Sequence, residues 1–180
     1  MSDTVSGSLA PGFESVRTAF EAAFDGKPDM GAALAVRRHG ETVVDLWGGV
    51  ADERDRAPWQ RGTLSVIFSC TKGISAILAA KLVQEGRLDY QGLVTDYWPE
   101  FGASGKYGVR VKDLLAHRSG VSAPRDILTP SDIVDWSTMT TALAAQAPLW
   151  EPDSGWVYHA ITHGWLIGGG CPYVVCQAAR

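Results

Sequence analysis

Positive charge is scarce and scattered in this sequence. The 16 lysines and arginines among 180 residues are outnumbered by 20 acidic residues, leaving a net charge of −4. They form neither a basic run nor a basic patch interleaved with aromatics, so no nucleic-acid partner is expected. Long hydrophobic runs are missing too. No stretch approaches the ~18 consecutive apolar residues of a membrane span, and "MSDTVSGSLAPGFESV" has neither a cationic start nor an apolar core. The expectation is a cytoplasmic protein without a membrane span. Cysteine is rare: Cys70, Cys171 and Cys176 are too few and too far apart for a disulfide framework or a zinc site.

What is present is the composition of an ordinary globular chain, 46% hydrophobic and 20% charged. A single domain over 1–180 is expected, long enough to bury a core. Phe13, Val16, Phe20 and Phe24 recur at helical spacing, predicting a helix over 13–25. "AALAVRR" and "ETVVDLWGG", joined by "HG", predict an antiparallel hairpin. A helix is predicted from Ser69 to about Glu85, with Ile74, Ile77, Leu78, Leu82 and Val83 on one face and Gly86 as its left-handed cap. "RLDYQGLVTDYWPEFGASGKYG" reads as a covering loop, and "VRVKDLLAHRSG" as a short helix stopped by Gly120. Ser131 and Ser137 are N-cap candidates for two further pieces, the second closed by Pro148. From about Gly169 the sequence changes character, so 169–180 is expected to be a divergent tail.

"SCTKG" carries the first candidate chemistry. A serine hydroxyl is a poor nucleophile until something takes its proton. Ser69 and Lys72 stand three apart and share a helix face, which sets an amine beside the hydroxyl. The helix start adds unpaired amides and a positive dipole end that can hold an oxyanion. A chain of this length shows about one such pair by chance, so a capping serine beside a solvated lysine is the competing reading. An alkylammonium with an ordinary pKa of ~10.4 also keeps its proton at neutrality. A phenol shared between the two groups would help, and Tyr158, after the "EPDSG" turn, is the candidate.

Other candidates have plainer readings. His159 and His163 could share a helix face, but no glutamate follows His159 as zinc proteases require. His117 is expected to make a structural hydrogen bond near a cleft. Gly168 to Gly170 lack the Gly-Lys-Ser/Thr ending of a phosphate loop, and no Gly-x-Ser-x-Gly elbow occurs.

"TLSVIFSCTKGISAILAAKLVQEGRLD", "VRVKDLLAHRSGV" and "PLWEPDSGWVYHAITHGWLIG", in that order, resemble the serine β-lactamase and penicillin-binding-protein superfamily over roughly residues 28–168. The resemblance is nearest to the esterase branch, the family VIII carboxylesterases related to class C β-lactamases. It implies an α/β (α+β) sandwich of antiparallel sheet and helices, β-lactamase/transpeptidase-like, of which this chain holds the N-terminal part. It also implies that Ser69 is acylated, that Lys72 assists proton transfer and that Tyr158 acts as general base. No cofactor and no metal are called for, and the partner is a small-molecule ester.

Two departures qualify what the resemblance implies. β-Lactamases have Tyr-x-Asn where this chain has Tyr158-His159-Ala160, which favours esters over β-lactams. The third motif of the family has no counterpart, and the chain is about half the family's length, as a truncated or frame-shifted product would be. The readings are therefore a serine carboxylesterase, a β-lactamase or D-Ala-D-Ala peptidase, or a non-catalytic fragment or pseudoenzyme. Substrate, acyl length and oligomeric state are left open.

Overall fold

The structure is a computed structural model and describes residues 5–170. Cys171, Cys176 and the tail beyond Gly170 lie outside the described residues. The chain folds as two compact units that divide between Val66 and Ile67.

The first unit is an antiparallel sheet with one helix. The hairpin forms as its alternation predicts: β2 (Gly31–Arg38) and β3 (Glu41–Asp52) pair with Leu34 opposite Leu46 and Val36 opposite Val44. His39 and Gly40, both at positive φ, make the tight reversal a hairpin's twist demands. Two strands went unpredicted. β1 (Val5–Leu9) pairs with the other edge of β3, giving the order β1-β3-β2, and the two-residue β4 (Ala57–Pro58) also pairs with β3. "VSGSL" has little strand propensity of its own, and its place is fixed by contact. Gly7, at φ 117°, has room for no Cβ because Asp45 O would lie 1.9 Å away. The predicted helix is α1 (Glu14–Ala22), shorter than 13–25 at both ends. Phe13, Val16, Phe20 and Phe24 pack on Val5, Val44 and Leu46 as the spacing requires.

The second unit is helical. α2 (Cys70–Gln84) ends as predicted: Gly86, at φ 69°, donates to Val83 O while Arg87 donates to Leu82 O, the paired bonds of a left-handed cap. Its apolar face differs from expectation. Ala79 is buried and Leu82 and Val83 are partly so, but Ile74, Ile77 and Leu78 are exposed, because no described element covers that side.

The expected covering loop over 87–108 is instead the centre of this unit. Its two 3-10 turns, Val94–Asp96 and Pro99–Gly105, place Val94, Trp98 and Phe101 in the core with Leu114, Met139, Leu143 and Leu166. Each such fully buried side chain contributes roughly 1.5–3 kcal/mol. α3 (Val111–Leu115) stops before Gly120, because His117 already turns left-handed at φ 61°. Neither predicted serine caps a helix. Thr129 caps α4 (Pro130–Val134) by accepting from Asp132 N, and Asp135 caps α5 (Trp136–Ala145) by accepting from Thr138 N. The C-terminus of α5 is closed by the buried Lys106, whose ammonium donates to the carbonyls of Ala103, Ala144 and Gln146.

α6 (His163–Gly170) runs two residues into the stretch expected to be a divergent tail, the rest of which lies outside the described residues. Gly168 and Gly169 are packing residues. A Cβ on Gly168 would lie 2.3 Å from the Trp136 ring, and one on Gly169 would lie 2.5 Å from the Trp98 ring. His159 precedes this helix, so it shares no helix face with His163.

Candidate active site

Ser69 stands at the N-cap of α2, but its side chain caps nothing. It is exposed, and its Oγ receives a hydrogen bond from Lys72 Nζ at 3.2 Å. The residue before it, Phe68, has φ 42°, a left-handed backbone that costs a non-glycine residue on the order of 1 kcal/mol. The following amides are occupied: Cys70 N donates to Ile67 O, Thr71 N to Phe68 O and Lys72 N to Ser69 O. The amide of Ser69 itself donates to no acceptor among the described residues.

Lys72 has a second anchor, which no spacing in the chain signals. Its ammonium donates at 2.9 Å to the carbonyl oxygen of Ala160. It also lies 4.7 Å from the centre of the Tyr158 ring, within cation–π range. The structure thus brings all three predicted site residues together. Hydrogen bonding to Ser69, and next to Lys72, holds the Tyr158 phenol below its ordinary range, with the lysine's charge adding to the same effect.

Tyr158 lies on neither helix nor strand, and its segment is laced to residues 117–122. Asp153 N donates to Arg118 O and Arg118 Nε donates to Asp153 Oδ1 at 2.6 Å. Val157 N donates to His117 O, His159 N donates to His117 Nδ1 at 3.1 Å, and Thr162 Oγ1 donates to Ser122 O. His159 is buried, and its partners fix its tautomer. Nδ1–H donates to Val157 O at 2.6 Å, so Nε2 accepts from Ser119 Oγ at 3.1 Å.

The expected structural hydrogen bond of His117 is therefore present, and its ring packs against three others. The centroid of Tyr158 is 5.0 Å away, that of His159 5.0 Å and that of His163 4.6 Å. Burial, and then the charge of Lys72, lower the pKa of His117. Burial likewise lowers His159 and takes His163 down to about 4. Among the described residues, no group of three His, Cys, Asp or Glu side chains is arranged to hold a metal ion, and no helix is long and apolar enough to cross a membrane. Beside Tyr158 a recess of about 470 Å³ opens, lined by Leu128, Ile133, Met139 and Ile161 and also by Asp126.

The model of the Beta-lactamase family matches residues 20–170. The Esterase/beta-lactamase LipL of Mycobacterium tuberculosis is 39% identical over 165 residues, which is 92% of this chain and 38% of that protein. Among solved structures, a family VIII carboxylesterase superposes with a TM-score of 0.90 at 41% identity, over 96% of this chain and 47% of its own. A penicillin-binding protein homologue from Caulobacter crescentus superposes with a TM-score of 0.91 at 40% identity, over 96% of this chain and 46% of its own. The chain spans less than half the length of each of these relatives. The architecture, antiparallel sheet with helices, is that of the β-lactamase/transpeptidase-like fold.

Proposed function

The chain belongs to the Beta-lactamase family, and from that premise we propose that it carries the nucleophile, proton carrier and first oxyanion donor of a serine hydrolase acting on small carboxylic esters. The observation that carries this reading is the contact of Lys72 Nζ with Ser69 Oγ at 3.2 Å beneath the Tyr158 ring. In the reaction, Ser69 Oγ attacks the ester carbonyl and its proton passes to the Tyr158 oxygen, whose phenolate form Lys72 stabilises. The unoccupied Ser69 amide donates to the oxyanion. As the carbonyl re-forms, the C–O bond of the ester breaks and Tyr158 returns the proton to the departing alcohol. Water then gives a proton to the Tyr158 oxygen as it attacks the acyl carbon, the bond from that carbon to Ser69 Oγ breaks to release the acid, and Tyr158 returns the proton to Ser69 Oγ. The apolar recess beside Tyr158 suits a hydrophobic portion of the ester.

A fluorophosphonate probe read by intact mass tests this directly. One adduct on wild-type chain and none on Ser69→Ala is expected. A folded wild-type chain that takes no adduct would instead favour the non-catalytic fragment or pseudoenzyme.

A second reading, hydrolysis of β-lactams or D-Ala-D-Ala peptides, is favoured by the likeness to a penicillin-binding protein homologue. Against it stands Ala160 in place of an amide side chain. Turnover of a short-chain nitrophenyl ester but not of nitrocefin would decide for the ester.

A further inference from the structure

The reaction proposed above needs the Tyr158 phenol held against Ser69 and Lys72. Yet Tyr158 is 47% exposed and belongs to no regular element, so neither burial nor a ladder of backbone bonds fixes it. The bonds nearest to it converge on one residue. His117 accepts from Val157 N through its carbonyl at 3.3 Å and from His159 N through its Nδ1 at 3.1 Å. It thus takes the amide on either side of Tyr158, and its ring packs on the phenol ring at 5.0 Å. The left-handed backbone of His117 both ends α3 and allows carbonyl and ring to reach the same segment.

We propose that His117 is a positioning residue for Tyr158, clamping the 157–159 backbone through its carbonyl and its unprotonated Nδ1 so that the phenol stays within reach of Ser69. The proposal rests on the reading of Tyr158 as the proton carrier. It has a chemical condition: Nδ1 accepts only while it carries no proton, which places the proton of the neutral ring on Nε2. A protonated ring would set N–H against N–H and release the clamp. The groups facing His117 oppose that proton. Lys72 from α2 and His163 from α6 face it, together with His159 and Tyr158 on the clamped segment. A carboxylate that would draw a proton onto the ring is not among these neighbours.

The experiment compares the 180-residue chain with His117→Leu and His117→Asn. Asparagine tolerates a left-handed backbone and offers an acceptor oxygen near the place of Nδ1, but it does not titrate. Tyrosine labelled with ¹³C at Cζ, assigned with Tyr158→Phe, reports the titration of Tyr158 by NMR. Exchange of the His159 amide proton reports the clamp, and ester turnover reports the chemistry.

Leucine should speed His159 amide exchange, move the Tyr158 titration back toward that of free tyrosine and lower kcat about 10²-fold with KM little changed. Asparagine should restore all three and carry the acid limb of kcat to lower pH. A Leu variant with wild-type Tyr158 titration and wild-type kcat overturns the clamp and leaves the proposed function standing. If the Leu variant does not fold, the Asn variant decides alone: an acid limb that does not move overturns the proposal. Should Tyr158→Phe keep full acylation, the proposed function falls, while the two NMR readouts still decide whether His117 positions residue 158.

Discussion

Lys72 Nζ donates at 2.9 Å to the carbonyl oxygen of Ala160, a residue 88 positions further along the chain. That bond ties the first turn of α2 to the segment carrying Tyr158, so the ammonium that touches Ser69 is held at both ends. A shape-based replacement therefore cannot stand in for it. Lys72→Met keeps the stem and removes the donors. Lys72→Arg keeps a charge, but its planar fork does not match two acceptors placed for a tetrahedral ammonium. Both variants should lose about 10²–10⁴-fold in the rate of fluorophosphonate adduct formation. Equal labelling of Lys72→Met and wild type would remove the lysine from the chemistry.

Tyr158→Phe separates ring from oxygen. The substitution keeps the face that Lys72 lies over and the ring that packs on His117. It deletes only the oxygen whose hydrogen bonds to Ser69 and Lys72 lower the phenol's pKa. Stability should change little, since the side chain is half exposed, while ester turnover should fall about 10²–10⁴-fold. Paired thermal melts and initial rates check this. A variant that loses stability and activity together would mean that the hydroxyl serves the fold.

These site residues were legible in the sequence to unequal degrees. Ser69 and Lys72 could be found from spacing because both sit on one helical turn, where i and i+3 are neighbours whatever the rest of the fold does. Tyr158 needed the resemblance, because its position depends on contacts between segments 40 residues apart in sequence. The Ala160 carbonyl had no signal at all, being a backbone atom. For His117 a structural hydrogen bond was expected, but not that its carbonyl and its ring would take the amides on either side of Tyr158, which depends on its left-handed turn.

The same division holds for the fold. The hairpin and the Gly86 cap follow from local rules. β1 and the burial of Phe101 do not, since both are decided by what packs against them. Thr129 and Asp135 displaced the two expected serine caps by two residues each, with Pro130 marking the true first turn of α4.

The buried imidazoles predict a loss of stability in acid. His163 is 4% exposed and titrates at about 4 in the folded chain, against an ordinary 6.5. Above pH 6.5 the ring is neutral whether the chain is folded or not, and its contribution is fully present. Between 6.5 and about 4 the unfolded chain binds a proton that the folded one refuses, so stability falls as pH falls through this window. The gap corresponds to about 3 kcal/mol once pH is below both values. His117 and His159, lowered in the same direction, add to it. Urea midpoints between pH 7 and pH 4 should drop steeply in wild type and less steeply in His163→Leu. Parallel slopes would show that this ring does not control the transition.

Gly169 tests whether the glycines of α6 are there for packing. An added methyl would sit 2.5 Å from the Trp98 ring, closer than carbon atoms approach. Trp98 is itself buried in the core with Phe101, so it has little room to retreat. Alanine is the better helix former by about 1 kcal/mol, which taken alone would stabilise α6. Overpacking costs about 1–3 kcal/mol and should win, giving a net loss. Gly164, in the same helix, meets no atom within 4 Å of an added Cβ and serves as the control. Gly169→Ala should lower the melting temperature, Gly164→Ala should hold or raise it, and Trp98→Phe combined with Gly169→Ala should recover part of the loss by removing the ring edge that the methyl strikes. A Gly169→Ala chain as stable as the Gly164→Ala chain would show that the two faces of α6 are equally free, and that the tryptophan does not need the glycine.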